Sequence, residues 1–88
     1  MITSAQYTVD GVAIKIVATA IGHRTAMIHN HGSHPVYLNG ANTVSTTTGF
    51  YVDKACGIVS VKVSPDEELW AICAADQTVT VTVLLTDE

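Results

Sequence analysis

Charge is what this sequence has least of. Asp, Glu, Lys and Arg make up 14% of its 88 residues, against about 25% in an ordinary soluble domain. Only 4 residues are Lys or Arg, against 8 that are Asp or Glu, and the formal net charge is -4. Four cations spread along the chain cannot form a phosphate-binding stripe, which argues against a nucleic-acid partner. Cysteine occurs 2 times, at Cys56 and Cys73, too few for a disulfide framework, and two free thiols are expected. No apolar run reaches the roughly 18 residues of a membrane span. The opening Met1-Ile2-Thr3-Ser4-Ala5-Gln6 has no basic segment followed by an apolar one, so no secretory signal is read there. The 3.6-residue apolar stripe of a helix is also missing, and no helix longer than a turn is expected.

What remains is apolar and β-branched. Hydrophobic residues make up 48% of the chain, too many for a disordered segment. Val and Thr, which favour strands because their χ1 is restricted, are its commonest residues. The length fits a single domain, residues 1–88. A domain this small buries only about 60% of the surface its unfolded chain exposes. With so little charge to cover the rest, apolar surface is left over, and such surface is commonly an interface. The expectation is an oligomer or a subunit of a larger assembly.

Alternation marks the strands. Thr78-Val79-Thr80-Val81-Thr82-Val83 has strict period two, with valines on one face and threonines on the other. Val59, Val61 and Val63 alternate with Ser60 and Lys62, and Val12, Ile14 and Ile16 with Ala13 and Lys15. Turn signals fall at Asp10-Gly11, Gly22-His23-Arg24, Gly32-Ser33-His34-Pro35, Asn39-Gly40, Ser64-Pro65-Asp66-Glu67 and Ala75-Asp76-Gln77. Asp10-Gly11 reads as a type I′ hairpin turn. About eight strands are predicted, near 4–9, 12–20, 25–30, 35–39, 50–53, 57–64, 68–74 and 78–86, with a loop over 40–49. The fold class is all-β, an antiparallel β-sandwich or short barrel. Val59, Val61, Val63, Val79, Val81 and Val83 are assigned to the core face.

Groups able to do chemistry are few. His29 and His31 lie two apart on a predicted strand and so share a face. With His34 nearby, and His23 upstream, they suggest a Zn²⁺ or Fe²⁺ site. The arrangement resembles the first motif of the cupins, small metal-binding barrels, but that motif wants a Glu after His-x-His and none follows here. Polar turn residues or an intersubunit seam account for the histidines as well, and no metal is assigned. A Cys–His nucleophile has no spacing to support it. Cys73 reads as a buried thiol, and Cys56 falls beside a turn. Asp66, Glu67 and Glu68 lack the pattern of a calcium loop and read as a solvated hairpin turn. Trp70 and Tyr37 are either core or interface anchors. No catalytic or cofactor-binding residue is assigned, and the chain is not expected to be an enzyme.

Three segments carry a family resemblance. They are Ile28-x-Asn30-x-Gly32-Ser33-x-Pro35-Val36-Tyr37-Leu38-Asn39-Gly40, Thr48-Gly49-Phe50 and Glu67-Glu68-Leu69-Trp70-Ala71-Ile72. Together, over roughly residues 12–86, the chain resembles small β-sandwich virion proteins of tailed bacteriophages, of the head-decoration or capsid-cement type. That resemblance implies a structural protein that binds the major capsid protein on the outside of an assembled shell, often as a trimer. Such a protein is made in the host cytoplasm and clamps capsid subunits against internal DNA pressure. A tail or fibre module of the same fold, or a cupin-like metalloprotein using His29, His31 and His34, are the alternatives.

Overall fold

A computed structural model describes residues 2–54 and 57–87. It holds eight strands: β1 (Ile2–Val9), β2 (Ile14–Val17), β3 (Arg24–Asn30), β4 (Val36–Asn39), β5 (Phe50–Val52), β6 (Ile58–Val63), β7 (Leu69–Ile72) and β8 (Val79–Asp87). They form two four-stranded sheets of order β1-β8-β3-β6 and β2-β7-β4-β5, antiparallel throughout. The predicted all-β sandwich is therefore the observed one, and its strand order is that of a jelly roll. Residues 40–49 contain no strand.

The core forms between the sheets. Val9, Ala26, Ile28, Val63, Val79, Val81 and Val83 of the first sheet meet Ile16, Val17, Val36, Leu38, Val52, Leu69 and Ala71 of the second. The predicted valine face is the inner one. Val63, Val79, Val81 and Val83 are buried, and Val59 and Val61 pack half-buried against them. β8 runs between β1 and β3, which explains why its alternation is so strict: its inner residues sit at the middle of the sheet. Val81→Ala should lower unfolding free energy by about 1–3 kcal/mol through lost burial and a small cavity. Thr80→Ala, on the exposed side of the same strand, should change it by less than about 0.5 kcal/mol. Urea titration of both variants measures the contrast.

Two local expectations are corrected. Asp10-Gly11 does not close a hairpin, because β1 pairs with β8 and β2 with β7. Neither residue has positive φ. The chain turns a corner between the sheets there, held by Val12 N donating to Asp10 Oδ1 at 2.9 Å and Cys73 N donating to Asp10 O at 3.0 Å. The alternation through Val12, Ile14 and Ile16 also breaks. A bulge between Lys15 and Val17 turns both Ile16 and Val17 inward, and Val12 is left 74% exposed.

Candidate interaction surface

Period two on the first sheet sends every second side chain outward, and the register aligns them in rows. One row reads Ser4, Leu84, Met27, Ser60 across β1, β8, β3 and β6; the next reads Gln6, Thr82, His29, Ile58; a third reads Ile2, Thr86, Thr25, Lys62. Lys62 is the one permanently charged side chain on this face among the described residues. Leu84 and Met27 face each other directly, and both are exposed. Ile2 and Ile58 stand at opposite edges, 67% and 60% exposed. The face is thus apolar and hydroxyl-rich, with almost no charge to hold water.

The histidines border this face. The rings of His29 and His31 lie edge to face, with centroids 4.3 Å apart. His31 Nε2 is 2.5 Å from Thr82 Oγ1. His34 does not join them. Its backbone oxygen instead accepts from Asn30 Nδ2, and His23 lines a separate hollow with Arg24 and Asp87. Among the described residues no three His, Cys, Asp or Glu side chains gather where they could hold a metal ion. The two-residue spacing therefore pairs two imidazoles, as read from the sequence, and the described residues add no third ligand to them.

Between them lies Asn30, fully buried. Its Nδ2 donates to His34 O at 2.9 Å and Asp53 O at 3.0 Å, with Val52 O at 3.5 Å, and its Oδ1 accepts from Gly32 N at 2.8 Å. Its backbone N donates to Gly57 O at 2.8 Å. One side chain thus joins the end of β3 to the loops after β3 and β5. Two glycines make room for the knot. A Cβ on Gly32 would stand 2.6 Å from Val79 Cγ1, and one on Gly57 would stand 2.1 Å from Asp53 O. The spacing Asn30-x-Gly32 has a packing reason.

The second sheet's outer face is aromatic and internally satisfied. Trp70 Nε1 donates to Glu68 Oε1 at 2.8 Å, Glu68 pairs with Lys15 at 3.3 Å, and Lys15 Nζ stands 5.5 Å from the centre of the Trp70 ring. Tyr37 and Tyr51 meet edge to face at 5.6 Å. Trp70 and Tyr37 are therefore neither core nor bare: both are half-buried on this face. The Trp70 hydrogen bond, helped by Lys15, holds the Glu68 carboxyl below its usual range. A depressed folded-state pKa favours the fold above the ordinary carboxylate range and loses that contribution as pH falls through the folded value. Glu68→Gln should therefore be less stable than the parent at neutral pH, with the gap closing in acid. Thermal melts at pH 7 and pH 3 measure it.

The remaining sequence candidates separate. Cys73 is buried, and its Sγ donates to Val9 O and Gln77 O at 3.4 and 3.2 Å. Burial, with Asp10 nearby, pushes the thiol up, which makes it a packing group rather than a nucleophile. Cys56 lies outside the described residues. The turn at Asp66-Glu67 is not a hairpin, since β6 and β7 belong to different sheets. Glu67 Oε1 accepts from Ser64 N at 3.2 Å, and Asp66 takes a left-handed φ of 65°. The sequence placed Arg24 in a turn signal and gave its side chain no role, whereas it opens β3. It is 5% exposed, and its guanidinium donates to Ala18 O and, at 3.1 Å, to Glu67 O. A shallow apolar cleft of about 430 Å³ opens between β6 and the second sheet, lined by Leu38, Phe50, Val59, Val61 and Leu69.

No protein family matches the chain, and no curated protein does. Among solved structures, the fold is similar to a chain of the Bacillus endospore appendages, a family of disulfide-linked pili. The likeness has a TM-score of 0.64 at 13% identity and covers 99% of this chain and 85% of that one. At that identity the likeness is one of fold.

Proposed function

We propose that this chain is a structural subunit of a multi-copy particle and binds its neighbours through the outer face of the first sheet. The observation that carries this reading is the exposed set Ile2, Leu84, Met27 and Ile58 on a face nearly free of charge. Covering apolar area releases about 25 cal/mol per Å², and among the described residues only Lys62 on this face carries a charge to be stripped of water. The motif resemblance favours the tailed-phage form of this role. There the chain decorates the outside of the head, grips the major capsid protein and holds neighbouring capsid subunits together, without catalysis. Each contact can be weak because many act at once.

A second reading is a filament subunit, favoured by the fold likeness to a pilus chain. Adding purified protein to heads that lack it tests both. The expected result is binding, with DNA retained to higher temperature. A Met27→Lys, Leu84→Lys variant with unchanged circular dichroism should fail to bind. Undiminished binding by that variant overturns the face assignment. Fibres in negative stain, with no head binding, would favour the filament.

A further inference from the structure

We infer that β1 is a docking strand, and that its occupant is the β1 of a second copy, so that two first sheets join into one eight-stranded sheet. A sheet edge presents a row of unpaired N–H and C=O groups, and proteins normally guard such edges with short strands, Lys, Pro or bulges. The outer strands here are β1, β6, β2 and β5. β2 has 4 residues, carries Lys15 and contains the bulge. β5 has 3 residues. β6 has 6 residues and carries Lys62. β1 has 8 residues, Ile2-Thr3-Ser4-Ala5-Gln6-Tyr7-Thr8-Val9, and none of these devices. Its positions 2–6 are exposed on both faces, so nothing else in the described chain covers them.

The absence of charge selects the occupant. Antiparallel pairing of β1 with itself sets no ionised group against another in any register, and its two-fold symmetry closes on itself. Pairing β1 with β6 instead would bring in Lys62. Edge-to-edge joining requires a two-fold axis perpendicular to the sheet, so residues of like parity oppose. With the axis at Ala5, Ser4 faces Gln6 of the second copy and Thr3 faces its Tyr7. With the axis at Gln6, Ala5 faces that Tyr7. In both registers the outer faces of the two copies run together as one surface. The unit in solution then holds two copies, where the motif resemblance implies three.

Sedimentation of the full chain at micromolar concentration should give twice 9.3 kDa. The residue on the axis meets its own copy at a Cα separation of about 4.5–5.5 Å, within disulfide reach. With Cys56 replaced by Ser, either Ala5→Cys or Gln6→Cys should therefore cross-link on oxidation, while Val12→Cys should not. Ala5→Lys, at an exposed position, should raise the dimer dissociation constant about tenfold or more by setting like charges together. Met27→Lys, Leu84→Lys should leave the dimer intact. A monomer, a trimer or a longer polymer for the parent overturns the inference. So does the failure of both cysteines to cross-link, or an unaltered Ala5→Lys. Head binding by a monomeric parent would sink the edge pairing and leave the outer-face reading standing.

Discussion

Asn30→Ala should lower unfolding free energy by about 3 kcal/mol or more. The substitution removes donors to the carbonyls of His34 and Asp53 and the acceptor for Gly32 N. Each buried group left unpaired costs about 1–3 kcal/mol, and the vacated side-chain volume adds a cavity term. Water entering the gap recovers part of this, which sets the figure near the lower end of the sum. Against a domain stability of about 5–15 kcal/mol, the variant should show a large drop in urea midpoint. Asn30→Asp keeps the shape but turns a donor into an acceptor facing carbonyls. A carboxyl so placed has its folded pKa raised. Its penalty is therefore smallest below the ordinary carboxylate pKa and grows as pH rises through the folded value. A parent-like urea midpoint for Asn30→Ala would show that the knot contributes little.

Arg24→Ala should cost about 3 kcal/mol, for a different reason. The guanidinium is buried, and its contacts are backbone carbonyls: Ala18 in the corner before β3 and Glu67 in the corner between β6 and β7. Hydrogen bonds from a charged donor contribute about 1.5–3 kcal/mol each. Offsetting them is the cost of burying a cation, and Nε has no partner among the described residues. Arg24→Met should therefore be milder than Arg24→Ala, since it fills the space and removes the buried charge. Arg24→Lys should not restore the parent, because one ammonium cannot present the planar fork that reaches two carbonyls. Urea midpoints for the three variants give the order. Equal loss for Met and Ala would show that the hydrogen bonds, and not the packing, carry the effect.

How much of this was legible follows from the range of each interaction. The TVTVTV run of β8 states its own faces, because period two is a property of neighbouring residues. The Asn30-x-Gly32 spacing was visible, but its reason was not: Asn30 reaches Asp53, 23 positions along the chain. Arg24 reaches Glu67, 43 positions away, and no local pattern signals that. Asp10-Gly11 misled because a dipeptide's turn preference does not say whether the next strand pairs or crosses to the other sheet. Low charge pointed to leftover apolar surface, and only the register showed where that surface gathers.

The position of β8 bears on the order of events during synthesis. β1 and β3 lie in the first half of the chain, yet both pair with β8, which follows every other strand. A nascent chain can therefore pair β3 with β6 beforehand, but it can join β1 to the sheet only once β8 has been made. Contacts of such long separation form slowly, so completion of the sheet should come late in folding. During that interval β1 has no intramolecular partner on either edge, and an uncharged strand in that state is open to the wrong neighbour. Slower expression or lower temperature, which keep fewer unfinished chains together at once, should raise the yield of soluble protein more than any change to the finished surface.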